Sequence, residues 1–407
     1  MNPRRDLHLV SAALLTWGLG EGLFLVFQTI YLLQLGASTA LIGLLLGANA
    51  VMMMLAQIPA GYLADRFGRR PVMWVNWGMG VVSTLVMALA TSLGVFVAGM
   101  LVYSLTAAVM APMNSYIVHA RGDWSVGKAV SMTSAAYNVG AVLGPLLGGL
   151  IADRFGIRQN FFIATAIFML STLIVLLIRR QPVEAARHES AITSLLKNKP
   201  FMLALGLILM VIFVLYLPIP LTSVFLRSER GVSLGAIGRL GALQSVGNVV
   251  FLLVLGHLPA LPVFVISQVA LFAFSLLLWR GSGLGLYGVG FFLLGGYRIG
   301  RAMTLSLIRP LVSDDQVGLA FGFVETVNSL SAILAPVLAG LLYDRSPASI
   351  YPISMALLAI SGVITLIVRR SIPRIKSRLT LENTSQLPEV FEAELETQLA
   401  LEERKSP

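Results

Sequence analysis

The feature that most limits how this chain can fold is a succession of apolar runs of about 20 residues or more, separated by short charged turns. The stretch 38–63 contains no Asp, Glu, Lys or Arg, and another uncharged run begins at Val72. An α-helix rises ~1.5 Å per residue, so runs of this length cross the ~30 Å hydrocarbon core of a bilayer. Soluble domains carry roughly a quarter charged residues; here the charged share is 12% and the hydrophobic share 57%. Membrane barrels use shorter strands of alternating polarity, a pattern these runs lack. In lipid the backbone must bond within its own segment, which leaves a helical bundle.

Spanning helices are expected at about 8–33, 38–63, 71–91, 94–118, 128–152, 160–180, 200–226, 234–256, 261–280, 284–310, 317–342 and 350–369. The fold class is therefore an all-α membrane protein of about twelve transmembrane helices. The long polar stretch 181–199 divides it into two six-helix halves, 1–180 and 200–370, followed by a tail, 371–407. Residues 184–196 read as a short surface helix or a solvated linker. In the tail, Phe391, Leu395 and Leu399 lie at helical spacing within an acidic segment, 389–405, which reads as a short helix or a disordered end.

Lys and Arg outnumber those of the opposite face about threefold in the segments that share a side with the N-terminus, which places both termini in the cytoplasm. The net charge of +10 is thus a matter of topology, and no nucleic-acid face is expected. The chain has no cysteine, which excludes disulfides, thiolate metal sites and a cysteine nucleophile. His8, His119, His188 and His257 show no metal-ligand spacing. No Gly-Lys-Ser/Thr phosphate loop and no Ser/His/Asp set is present, so neither ATP hydrolysis, an enzyme activity, a metal nor a cofactor is expected.

The halves repeat each other. Residues 127–154 align without gaps on 318–345, pairing Gly127/Gly318, Ala129/Ala320, Leu143/Leu334, Pro145/Pro336, Gly149/Gly340, Asp153/Asp344 and Arg154/Arg345. A second block pairs Gly36, Ser38, Ile42, Gly43 and Gly61 with Gly231, Ser233, Ile237, Gly238 and Gly256. Parallel six-helix repeats about an axis along the membrane normal place a central site between two halves.

The turn between the second and third spans carries Gly61, Asp65, Arg66, Gly68, Arg69 and Arg70. The fifth span carries Gly140, Gly144, Pro145, Gly148 and Gly149. These two motifs resemble the loop signature and the antiporter-branch signature of the major facilitator superfamily. The resemblance covers nearly the whole chain up to about Arg370 and implies pseudo-two-fold symmetry of the halves. Ser131 departs from the longer fifth-span pattern, and the fourth-span arginine of drug/proton antiporters is missing, since 103–113 holds no charge. The family's loop holds one closed state of the halves. Here Asp65 is expected to latch a helix end, and Arg66, Arg69 and Arg70 to bind carboxylates or anionic lipid headgroups. The counterpart after Gly256 reads His257-Leu258-Pro259-Ala260-Leu261 and has no charge, so the gate is asymmetric. Gly140, Gly144 and Gly148, four apart, let another helix approach closely, either as a rocking contact between halves or as plain packing.

Four charges lie in mid-span: Glu21, Arg298, Arg301 and Glu325. Charge in a membrane helix is costly and marks function. Arg301 is expected to pair with Glu325, and Arg298 to face Glu21 across the cavity. The resemblance implies that spans one, four, seven and ten line that cavity. Trp17, Phe24, Asn114, Tyr116 and Tyr297 are the further lining candidates, and the methionines 52–54 offer a soft apolar surface. Three readings of the charges stay open: uptake of a coupling proton by Glu21 or Glu325, an organic anion held by Arg298, and a static buried pair. What the resemblance implies is a monomeric secondary transporter of the plasma (inner) membrane, in contact with lipid and working by alternating access. Proton-coupled efflux of a small amphipathic solute is the leading expectation. Uptake or exchange of an organic anion, and a non-transporting sensor on the same scaffold, are the alternatives.

Overall fold

The structure is a computed structural model that describes residues 4–181, 195, 197–313 and 316–384, apart from the side-chain positions 4, 58, 61, 65 and 368–384. In order, the helices are α1 (Arg4–Gln34), α2 (Thr39–Phe67), α3 (Arg69–Leu89) and α4 (Leu93–Ser104), which runs through a 3-10 turn (Leu105–Val109) into α5 (Met110–Ala120). Then come α6 (Val126–Phe155), α7 (Ile157–Leu176), α8 (Lys199–Tyr216), α9 (Thr222–Ser228), α10 (Leu234–Leu255) and α11 (Ala260–Arg280). The last are α12 (Leu284–Leu293), α13 (Gly295–Ile308), α14 (Val317–Arg345) and α15 (Ile350–Thr384). No strand occurs among the described residues. Among the described residues, eleven segments are long and apolar enough to cross a membrane; the expected span 284–310 completes the set as the pair α12–α13. The segments 184–194 and 389–405, each expected as a short helix or else as a linker or disordered end, lie outside the described residues, as does position 196.

Local chemistry explains where the helices start and stop. Ser38, Ser125, Asn198 and Ser233 cap α2, α6, α8 and α10, each side chain accepting a backbone N–H three residues on. Gly68 and Gly156, at φ 89° and 86°, turn one helix directly into the next, a conformation that side-chain-bearing residues resist. Two expected spans are interrupted. Span 200–226 breaks at residues 217–221, where Pro218 and Pro220 supply no N–H. Span 284–310 breaks at Leu294, where Gly295 presses on the backbone of Gly247 and Asn248 in α10.

Because successive spans are antiparallel, they define a terminal face, where α1 begins, and a far face, carrying the turns near Gly36, Gly156, Gly231 and Ser346. Residues up to Ser361 pack into one compact unit, and Gly362 onward, where the last span ends, is a second unit. Within the first, α1 packs on α6 and α7, while α2 meets α14 and α6 meets α10 across the sets. These crossings depend on missing side chains. A methyl group on Gly43 would strike the Pro336 carbonyl, and one on Gly238 the Pro145 carbonyl; Gly149 and Gly340 are packed as closely. In lipid such approach is favoured by dispersion and local hydrogen bonds rather than by hydrophobic burial. Ser245 adds a hydroxyl bond to the Ala141 carbonyl at 2.9 Å.

At the far face the crossings are latched twice. Asp153 at the end of α6 accepts the Gly235 N–H in the first turn of α10 at 2.8 Å. Asp344 at the end of α14 accepts the Thr39 hydroxyl at the start of α2, also at 2.8 Å. Both carboxylates therefore sit against the positive end of a helix in the other set. They are partners in the sequence repeat. Toward the terminal face, α2 and α14 part around a cleft of about 340 Å³ lined by Met54 and Gln57 on one side and Leu319, Phe323, Glu325 and Ser329 on the other.

Removing both carboxylates (Asp153→Ala with Asp344→Ala) deletes two charge-assisted bonds worth about 1 kcal/mol each at these exposed sites. The far face should open more often. The chain has no cysteine of its own, so labelling of Val26→Cys, which packs on Gly241 across the crossing, should accelerate several-fold with a membrane-impermeant maleimide applied from the far side.

Candidate functional site

Two polar clusters are built on corresponding elements of the two sets. The first uses α1, α4 and α6. The Glu21 carboxylate accepts the Tyr103 hydroxyl at 3.0 Å on Oε1 and the Tyr137 hydroxyl at 2.7 Å on Oε2. Trp17, one turn earlier on α1, stacks on Phe168 with centroids 4.2 Å apart and lies against Trp77 at 5.2 Å. Two glycines make room for these rings: a side chain on Gly80 would collide with Trp17, and one on Gly20 with Phe168.

The second cluster uses α8, α13 and α14. Arg301 donates to Glu325 Oε2 at 3.0 Å, forming the expected ion pair. Asn328, one turn along α14, donates to Glu325 Oε1 at 3.3 Å. Tyr297 stacks on Tyr216 with centroids 5.3 Å apart. The side chains of Arg301 and Glu325 are 46% and 42% exposed, so this pair lines open space rather than a sealed core. Glu325 also borders the cleft between α2 and α14.

Arg298 is exposed, three residues before Arg301 on the same helix. It is near enough for its charge to act on Glu21 and Tyr137. It makes no ion pair with Glu21, whose two oxygens are engaged by neutral phenols instead. Sequence reasoning did not assign Tyr103 and Tyr137 to Glu21. They lie 82 and 116 residues from it, and no short-range pattern couples positions on three separate helices.

Two cavity candidates need correction. Tyr116 is fully buried among Leu7, Met73 and Ile117, and its hydroxyl donates to the Arg179 carbonyl at 2.9 Å, so it ties α5 to the end of the α7 segment. Phe24 is also fully buried, packed behind Tyr103 against Phe161 and Phe168, and supports the first cluster without lining it. Asn114 is exposed on α5 and joins neither cluster.

Among the described residues the arginines of the turn motif donate to neutral oxygens. Arg69 donates to Gln181 Oε1 at 3.2 Å and Arg70 to the Leu176 carbonyl at 3.4 Å, with the Arg70 guanidinium over Trp74 at 4.0 Å. Arg66 donates to the Tyr62 hydroxyl at 3.3 Å. The Arg69 and Arg70 contacts pin the α2–α3 turn around Gly68 to the end of the first set of spans. Gly61 and Asp65 lie in α2, and the latch expected of the Asp65 side chain falls outside the described side chains.

The fifth-span motif divides by helix face. Gly140, Gly144 and Gly148 pack on Leu15, Gly18, Leu19, Gly22 and Leu23 of α1, inside their own set, so their contact is packing and not a contact between halves. Pro145 and Gly149, also four apart but on the next face, are the residues that meet α10. The repeat agrees: the first face recurs as Ser331, Ala335 and Ala339, whereas Pro336 and Gly340 are kept at the crossing.

Twelve spans in two repeated sets, a cleft between sets and costly charge facing it define a multi-pass membrane transporter. The sequence model of the Major Facilitator Superfamily matches residues 9–258 and 213–399, and the chain belongs to that family. It is similar to Multidrug resistance protein 2 of Bacillus subtilis, at 25% identity over 80% of this chain and 86% of that protein. An alignment with the uncharacterized MFS-type transporter MJ1560 of Methanocaldococcus jannaschii, at 27% identity, spans 42% of this chain and 44% of that protein. A mutant of the nucleoside transporter NupG shares the fold with a TM-score of 0.80 at 15% identity, covering 89% of this chain and 99% of that one.

The two faces of the motif should separate in experiment. Gly144→Val overpacks α1 against α6 and should cost about 2 kcal/mol of stability in thermal unfolding. Gly149→Val should instead raise far-side labelling of Val26→Cys. For the half-exposed Arg301–Glu325 pair, a double-mutant cycle with glutamine at each position should give a coupling of about 0.5–1 kcal/mol.

Proposed function

We propose that this transporter exports small amphipathic organic solutes in exchange for protons, with Glu21 as the group that either ligand occupies. The observation that carries this reading is a carboxylate inside a span whose partners are two phenol hydroxyls and no cation. Such a group has two usable states. As a carboxylate it attracts a cationic or hydrogen-bond-donating solute; as a carboxylic acid it is neutral and tolerates a closed, dehydrated cavity. Occupation by one ligand excludes the other, which is what obligatory exchange requires. The ring of Trp17 beside it suits an aromatic or otherwise apolar solute body.

The bias of Lys and Arg puts the terminal face in the cytoplasm. With the far face latched through Asp153 and Asp344, the cleft beside Glu325 then opens inward, the state from which an exporter loads. Alternation would break the two far-face latches and close the terminal face around the turn at Gly61–Arg70. The similarity to a protein named for multidrug resistance supports the direction of transport. A second reading, transport of an organic anion, is favoured by the exposure of Arg298 and by its lack of an ion pair among the described residues.

Purified protein in liposomes with an imposed pH gradient tests the exchange. Addition of a transported dye should drive proton movement in the native chain, and Glu21→Gln should lower that flux at least tenfold while the melting temperature stays within a few degrees. If Glu21→Gln leaves coupled flux unchanged, the proposal fails.

A further inference from the structure

Glu21 and Arg298 are opposite charges contributed by the two different sets of spans, and neither is neutralised by the other. Glu21 is held by Tyr103 and Tyr137. Arg301, the neighbouring arginine on the same helix, is matched by Glu325. Arg298 is left exposed, with no hydrogen bond or ion pair to another described residue. Its charge nonetheless reaches Glu21. Aromatic rings flank both positions: Trp17 and Tyr103 beside Glu21, and the Tyr297–Tyr216 stack on the side of Arg298.

Closing the cavity removes water from both charges, and an unpaired charge in a low-dielectric site is strongly unfavourable. A purely cationic solute on Glu21 would leave Arg298 uncompensated. A purely anionic solute on Arg298 would leave Glu21 charged unless it also carried a proton. One solute with both groups matches both at once, leaves the net charge unchanged, and draws the two sets of spans together.

We propose that the solute carried is a zwitterion with an apolar, planar body, its cationic group taken by Glu21 and its anionic group by Arg298. This rests on the exchange reading above and specifies the chemical class that exchange would carry. Tyr103 and Tyr137 act as positioning residues, because they hold both carboxylate oxygens in place from α4 and α6. When the ammonium arrives, the proton on Glu21 leaves for the cytoplasmic solution, and the ammonium takes its place on the carboxylate.

The test is binding, measured by thermal shift and calorimetry on purified protein without any gradient, so that it is independent of proton coupling. The probes are matched quartets on phenyl, indole and quinoline cores: an amino acid, its methyl ester, its N-acetyl derivative and the doubly blocked neutral form. In the native chain, zwitterions should bind at least tenfold more tightly than the ester or the N-acetyl form of the same core. Arg298→Gln should abolish the preference over the ester, and Glu21→Gln the preference over the N-acetyl form. Arg298→Lys, which keeps the charge, should retain part of the preference and controls for misfolding. An ester or N-acetyl form binding as tightly as its zwitterion, or no zwitterion binding at all, overturns the proposal. Retained charge preference with no proton flux in liposomes would overturn the exchange reading instead.

Discussion

The two sets of spans are joined at two helix crossings in which backbone meets backbone. At α2–α14 and α6–α10 the side chains are reduced to glycine and proline, so that Gly43 lies on Pro336 and Gly238 on Pro145. Contacts of this kind are rigid at short range and carry little binding energy per unit area in lipid, where hydrophobic burial does not help. They can slide or part without exposing a large apolar surface to water. The two far-face carboxylates then matter out of proportion to their size. Each adds one directional, charge-assisted bond to a crossing that otherwise relies on dispersion.

The two polar clusters use one scaffold in two electrical forms. In the first set a carboxylate is closed by neutral phenols, and in the second by an arginine and an amide. The two sites draw on corresponding helices of the two sets, but their carboxylates come from different ones, Glu21 from the first span and Glu325 from the eleventh. Arg298 and Glu21 are opposite charges on different sets of spans with no ion pair between them.

Much of this was legible in the chain. The runs of apolar residues set the number of spans, and helix ends fell where Ser38, Ser125 and Ser233 offer caps and where Gly68 turns. The Arg301–Glu325 pair was legible because two mid-span charges of opposite sign at similar depth have few other choices. The breaks in the seventh and tenth spans were not read, although Pro218, Pro220 and the glycines at 295–296 mark them. Tyr116 was placed in the cavity because it is polar and lies in the fourth span; its hydroxyl is committed to a backbone carbonyl instead. The fifth-span glycines were read as one feature, whereas a shift of one residue, from Gly148 to Gly149, turns the side chain position by about 100° and changes the partner helix.

By itself the sequence determined the all-helical membrane fold, its twofold repeat and its family, because hydrophobic length, charge bias and short motifs are local properties written along the chain. Only the tertiary structure decided which partners those residues have: that Glu21 is held by tyrosines from two other helices, that Pro145 and Gly149 rather than Gly140, Gly144 and Gly148 join the two sets, and that Asp153 and Asp344 latch the far face. The physical reason is that each of these contacts joins residues tens to hundreds of positions apart, and which helix faces which is set by packing that no local period records.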